Sequence, residues 1–245
     1  MTEPARFYVD VPLSVGGNIH LPGHVGHHAA RVLRLKSGDP VVLFNGQGGE
    51  YHGTLVMNSS RDVGFVAERF EAREAELPFS ICLGQGICAS EKMDWLIEKA
   101  VEFGTAHIAP LSLDRSVVRL NPERAEKRGQ HWQNLVASSS AQCGRNRLMG
   151  ISPVASLASW LDARLGPSLD LVLAPGAPAT LANIAAATPP CDVNLLVGPE
   201  GGLSPDEFQL ALARGFVAAS LGPRVLRTES AALFAIATLS SRWAA

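Results

Sequence analysis

Short apolar runs separated by polar turns dominate the start of the chain. Phe7-Tyr8-Val9, Pro40 to Phe44, Tyr51 to Met57 and Val63 to Phe70 read as strands. Asn45-Gly46-Gln47-Gly48-Gly49 between two of them reads as a glycine-rich hairpin connection. The stretch from His24 to Leu35 reads as one short helix. This pattern predicts a small β-barrel over residues 1–72. EAREAE, residues 71–76, is charged and lacks β-formers, so the linker falls there.

From Leu77 onward strands and helices alternate. Phe79 to Ile87 is strand-like, and Ser90 is expected to cap a helix with apolar positions Met93, Leu96, Ile97, Ala100 and Val101, closed by Gly104. His107 to Leu111, Leu169 to Leu173, Val193 to Val197 and Phe216 to Leu221 are further strands, and Pro122 to Ser139 is a helix. Alternation of this kind predicts a mostly parallel α/β sheet over residues 73–245. Ser204, Pro205 and Glu207 form a capping box with proline at the first helical position, and Gly215 ends that helix.

Composition changes the picture little. The chain has 245 residues, 47% hydrophobic and 18% charged, with a net charge of -2, the profile of a globular protein without a global basic signature. Cys82, Cys88, Cys143 and Cys191 form no CxxC pair, which fits reduced thiols in the cytoplasm and disfavours zinc. No secretory leader and no membrane-length apolar stretch is expected.

The candidate chemistry begins at LVGPEGGLSPDEF, residues 196–208. Its glycine spacing fits neither a Rossmann loop nor a P-loop. It has no lysine, and Glu200 would repel a phosphate. Such a turn suits a neutral base or a cationic small molecule held by main-chain groups; an ordinary strand-to-helix turn is the plainer alternative. LGPRVLRTESAA, residues 221–232, follows another apolar strand with a second Gly-Pro turn. Both segments leave the carboxyl ends of strands, so both are expected to face one crevice.

Together these two segments resemble the paired cofactor loops of SPOUT methyltransferases, and more narrowly the ribosomal RNA small subunit methyltransferase E family. EKMDWLIEKAVEFG (91–104) is similar to that family's first helix, and RSVVRL (115–120) and AQCGRNRL (141–148) to its central segments. RFYVD (6–10) and HHAARVLRLKSGD (27–39) resemble its PUA-like RNA-binding barrel. The resemblance implies a trefoil-knotted, mostly parallel sheet with helices on both faces, preceded by the barrel. It also implies a cytoplasmic homodimer that uses S-adenosylmethionine to methylate N3 of a uridine in 16S rRNA, within the assembled small subunit. Cofactor contacts carry over to Leu173, Leu196, Gly198, Pro199, Gly201, Gly202, Leu221, Gly222, Leu226 and Thr228.

N3 of uracil is protonated at neutral pH and must lose its proton before it attacks. Glu200 and Glu229 are the candidate acceptor or orienting group, and Arg227 the candidate stabiliser of charge on O2 or O4. Glu229 has a competing role as a first-turn carboxylate complementing the helix dipole, and Glu200 one in holding the loop. For RNA, residues 115–147 carry seven basic residues against two acids, a net of +5. Arg6, Arg31, Arg34, Arg115, Arg145 and Arg147 are the expected RNA contacts.

Other readings remain open on the residues alone. They are a ribose 2′-O-methyltransferase of the same class, a non-catalytic RNA-binding assembly factor, and a dinucleotide enzyme suggested by Gly84-Gln85-Gly86. The last lacks a third glycine, since position 89 is alanine. His24, His27 and His28 have no cysteine or carboxylate cluster beside them, and no metal is expected.

Overall fold

The computed structural model describes residues 4–59, 62–164 and 166–244. The chain divides into two compact units. The first runs to Glu76, slightly past the expected division at 72/73, and also takes in Ala137–Leu148; the second is Leu77–Val136 with Met149–Ala245.

The first unit is built on five strands: β1 (Ala5–Tyr8), β2 (Asn18–His20), β3 (Pro40–Phe44), β4 (Glu50–Ser59) and β5 (Asp62–Glu71), in the order β1-β3-β4-β5-β2. β1 pairs with β3 in parallel, and the other pairings are antiparallel. Alternation along β5 buries Val63, Phe65 and Ala67, which join Phe7, Val41, Leu43 and Leu55 in one core. The glycine-rich connection joins β3 to β4 as expected, with Gly46, Gly48 and Gly49 at positive φ.

The expected helix from His24 to Leu35 is shorter. α1 (Gly23–His27) runs into one π-helical turn, His28–Val32, and the chain leaves it at Arg34 with φ 56°. Only Val25, Gly26 and Ala29 are buried there, too narrow a stripe to hold three turns. Leu35 instead turns back onto the core, its N–H bonding to Ala29 O at 3.0 Å.

The second unit carries β6 (Ile81–Gly86), α2 (Ser90–Glu102), β7 (His107–Ser112), α3 (Pro122–Cys143) as far as Val136, β8 (Gly150–Ile151), β9 (Ala155–Ser156) and α4 (Leu157–Asp162). β10 (Leu169–Leu173), α5 (Leu181–Ala187), β11 (Val193–Val197), α6 (Pro205–Ala213), β12 (Val217–Ala219) and α7 (Thr228–Trp243) complete it. The strand order is β12-β10-β11-β6-β7-β8, with β9 also on β7, and every pairing among the described residues is parallel. All five residues of β11 are buried, as a central strand covered on both faces requires. No helix among the described residues is long and apolar enough to cross a membrane.

Two local expectations change. Ser90 is the first residue of α2 rather than its cap: Ala89 occupies that position without a side-chain bond, and the Ser90 hydroxyl accepts from Arg128. Gly84 and Gly86 answer to packing, not to a dinucleotide. A Cβ at 84 would stand 2.7 Å from the Trp160 ring, and one at 86 would stand 2.5 Å from Pro199 N.

Buried charge organises the first unit. Glu50 is 4% exposed and pairs with Arg6; Asn146 Nδ2 donates to it at 3.2 Å and Arg73 lies 3.7 Å away. Burial alone would raise its pKa, but the hydrogen bond and charge of Arg6, with Asn146 and Arg73, hold it below the usual carboxylate range. Arg145, 3% exposed, forks onto Glu76 at 3.0 and 2.6 Å. These bonds seat Gly144–Arg147 against β1, β4 and the segment before Leu77. Glu50, His52 and Glu71 bring ligand atoms within 4.8 Å of one another. Arg6, Arg69 and Arg73 face those carboxylates and oppose a cation there. His24, His27 and His28 are exposed.

Removing one partner of a buried pair strands the other charge. Glu50→Gln is therefore expected to cost about 3 kcal/mol at neutral pH in urea unfolding. Because the folded pKa of Glu50 is depressed, its contribution is present above the ordinary carboxylate range and lost as pH falls through the folded value. The variant should accordingly lose less stability than the wild type between about pH 5 and about pH 3.

Candidate active site

β12, β10 and β11 are adjacent, and the segments leaving their carboxyl ends enclose a cavity of about 1150 Å³. This is where an open α/β sheet collects its ligand, beside the switch in strand order between β11 and β6. Its lining is largely aliphatic side chains and Gly-Pro main chain. Gly176, Gly202 and Gly222 line it at φ 79°, 70° and 99°, and no atom stands within 4 Å of where their Cβ would be. Main-chain groups are therefore bare at three places. Pro199 to Gly202 closes as a turn, Gly202 N to Pro199 O at 2.9 Å. Position 198 must be glycine for another reason, since a Cβ there would stand 2.8 Å from Leu203 N.

A buried chain of hydrogen bonds ties the two expected loops together. Thr228 Oγ1 donates to Gly198 O at 2.5 Å. Gln85, fully buried in β6, donates from Nε2 to Thr228 Oγ1 at 2.9 Å and to Gly86 O at 2.8 Å. Gln85 was not among the expected residues. The available signal was one amide in the otherwise apolar strand ICLGQG, because a buried amide must find partners.

Charge gathers at the β6 edge of the cavity. Glu200 Oε1 accepts the Ala89 N–H at 3.0 Å and Lys92 Nζ at 3.1 Å. Burial works to raise its pKa, but these bonds, with its own backbone N–H, lower it on balance, so Glu200 is a settled carboxylate. Glu229 is 8% exposed, and its Oε2 has no hydrogen-bond partner among the described residues. Burial pushes the Cys88 thiol up to about 12, with the charges of Glu200 and Glu229 adding to the rise. That thiol is inert as a nucleophile.

Leu173, Gly198, Pro199, Gly202, Leu221, Gly222, Leu226 and Thr228 all line the cavity, as do Glu200 and Arg227. Two expected contacts do not. Leu196 is fully buried in the core between strand and helices. Gly201 packs on Arg115: a Cβ there would meet Arg115 Cβ at 2.9 Å, and Arg115 Nη1 donates to Gly201 O at 3.3 Å. Its glycine serves that approach. Lys92 lines the cavity and was not anticipated. Glu229 sits beside Thr228 outside the lining. Of the arginines expected at RNA, Arg31, Arg34, Arg115 and Arg147 are exposed. Arg6 and Arg145 instead spend their guanidinium groups on Glu50 and Glu76, a different place from the open phosphate contacts expected of them.

Thr228→Val would remove the hydroxyl that donates to the Gly198 carbonyl and accepts from the Gln85 amide, leaving that amide only Gly86 O. It is expected to cost about 1–3 kcal/mol in urea unfolding, while Thr228→Ser, which keeps the hydroxyl, should stay close to wild type.

Residues 75–240 match the family described as RNA methyltransferase domain, and residues 21–61 match that described as RNA methyltransferase PUA domain. Curated relatives named ribosomal RNA small subunit methyltransferase E include that of Buchnera aphidicola subsp. Schizaphis graminum, 30% identical over 97% of this chain and 96% of its own. Another is that of Mycobacterium bovis, 32% identical over 97% of this chain and 92% of its own. The crystal structure of the Neisseria gonorrhoeae protein of that name, bound to S-adenosyl methionine, is 32% identical, covers 98% of both chains and superposes with a TM-score of 0.91. With similarity at this level over nearly the whole of both chains, this chain belongs to the ribosomal RNA small subunit methyltransferase E family.

Proposed function

We propose that the protein transfers a methyl group from S-adenosylmethionine to N3 of a uridine in 16S rRNA of the small ribosomal subunit, acting in the cytoplasm. The observation that carries this reading is the cavity itself: bare main chain from three strand ends, aliphatic walls, and the Glu200 carboxylate at its β6 edge. Such a lining suits an adenosine held by backbone groups against aliphatic walls. When bound, the cofactor supplies an electrophilic methyl whose bond to sulfur breaks as the bond to N3 forms, leaving a neutral thioether.

The protein's part is to hold the loops, remove the N3 proton and balance the charge. Leu173, Gly198, Gly202, Leu221, Gly222 and Leu226 hold the cofactor, with Thr228 keeping the two loops in register. Glu229, next to the cavity-lining Thr228, accepts the proton. Glu200 is poorly suited to that step, because two donors already stabilise its ionised form. Arg227 is the stabiliser of negative charge on a pyrimidine oxygen.

The reading includes three further parts. The five-stranded sheet closes as a PUA-like barrel that presents Arg31 and Arg34 to RNA, with Arg115 and Arg147 as further contacts, all exposed. The C-terminal segment threads a loop to form a trefoil knot. Support comes from Leu181 N bonding Ser220 O at 2.9 Å and Trp243 Nε1 bonding Ala185 O at 3.0 Å. The working form is a homodimer, and Trp95, Phe103 and Phe234, all exposed on or beside the packed helices α2 and α7, supply its apolar surface.

Mapping of 16S rRNA by mass spectrometry, from cells lacking the protein and after addition of protein and cofactor, tests the assignment. Methyl on uracil N3 is expected; methyl on a ribose oxygen would move the protein to the 2′-O class, and absence of any cofactor heat in calorimetry would make it a binding factor. Glu229→Gln should lower turnover about a hundredfold with cofactor affinity unchanged. Trp95→Glu should shift the protein from dimer to monomer in sedimentation.

A further inference from the structure

One wall of the cavity is not built by the cofactor loops. Lys92 is the third residue of α2, the helix after β6, and β6 lies on the opposite side of β11 from β10 and β12. Its ammonium therefore meets the cavity at the edge away from the loops that follow β10 and β12. Its one side-chain hydrogen bond among the described residues is to Glu200 Oε1, at 3.1 Å. That same oxygen accepts the Ala89 N–H, so the carboxylate is pinned and holds the lysine in place. An ammonium has three donors, and this bond uses one. The N-terminus of α2, a helix of thirteen residues, adds partial positive charge beside it.

The surroundings decide what the other donors meet. Glu200 lines this edge, its carboxylate fixed by the Ala89 N–H and Lys92. The donor's amino-acid carboxylate has a cation on the β12 side, Arg224, whereas this edge carries the fixed carboxylate of Glu200. The reacting end of the site is therefore the Lys92 edge. An N3-deprotonated uracil spreads its charge over two oxygens, and besides Arg224 and Arg227 of the β12 loop, Lys92 is the cation that lines the cavity.

We propose that Lys92 is a second catalytic cation: it donates to a carbonyl oxygen of the acceptor pyrimidine and stabilises the anion formed when N3 loses its proton. This rests on the methyltransferase reading above. In the step, the N3–H bond breaks with its proton passing to Glu229, and the N3–CH3 bond forms as the S–CH3 bond breaks.

The test uses full-length wild type, Lys92→Met and Lys92→Arg with small subunits lacking the modification. Turnover is followed against pH at saturating cofactor, cofactor affinity by calorimetry, and folding by thermal melt. A cation beside the base lowers the pH at which N3 ionises, so its loss should move the rising limb of the pH profile upward. Lys92→Met is expected to lose about a hundredfold in kcat at neutral pH, recover in part at higher pH, and bind cofactor as the wild type does. Lys92→Arg should restore much of the rate. Weakened cofactor binding with an unmoved pH limb would overturn the proposal and assign Lys92 to the donor's carboxylate. A Lys92→Met profile matching wild type would overturn it too, as would a loss explained by a lowered melting temperature and not rescued by arginine. A wild-type protein that leaves N3 unmodified is a separate result, which overturns the methyltransferase reading and this inference with it.

Discussion

The hydroxyl of Thr228 donating to the carbonyl of Gly198 is the contact on which the site depends. The two residues lie thirty positions apart, at the start of α7 and the end of β11. Without that bond the two glycine-bearing loops would be independent surface turns. Gln85 supports it from below, and Gly86 lets Pro199 approach closely enough for the first loop to sit over β6. Each member of this chain is buried or half-buried, where an unmet donor costs about 1–3 kcal/mol. The chain therefore acts as a latch, and the cavity is shaped before any ligand arrives.

Glu200 and Glu229 look alike in sequence and differ in what surrounds them. Glu200 is bonded by a backbone N–H and an ammonium, which stabilises its charge and makes it a poor base. Glu229 keeps one oxygen without a partner. Environment rather than residue type separates an orienting group from a proton acceptor, the general logic of paired acids in enzyme sites. The same logic separates the arginines. Arg6 and Arg145 hold the first unit together through Glu50 and Glu76, while Arg31, Arg34, Arg115 and Arg147 remain at the surface.

The net charge of +5 over residues 115–147 accordingly overstates what that stretch offers to RNA. Arg145 is cancelled by Glu76, and Arg147 lies 3.2 Å from Glu74. Both acids belong to EAREAE, read in sequence as a linker. That segment is charged because it meets the GRNR turn, so it is an internal docking strip rather than a solvated spacer.

Local pattern determined much of this protein. β3, β10 and β11 fall at the expected bounds, and the Ser204–Glu207 capping box forms as read, because short apolar runs and caps are set by neighbours in sequence. The paired loops were legible too, since glycine, proline and capping residues mark a strand-to-helix turn wherever it lies. β2, β8 and β9 escaped notice because two or three residues carry no period. Tertiary structure alone decided the burial of Arg6 and Arg145, the packing role of Gly84, Gly86 and Gly201, and the entry of Gln85 and Lys92 into the site. The reason is physical: a side chain's charge, hydrogen bonds and tolerance for a Cβ are set by atoms that reach it from distant parts of the chain, and periodicity along the sequence carries no record of them.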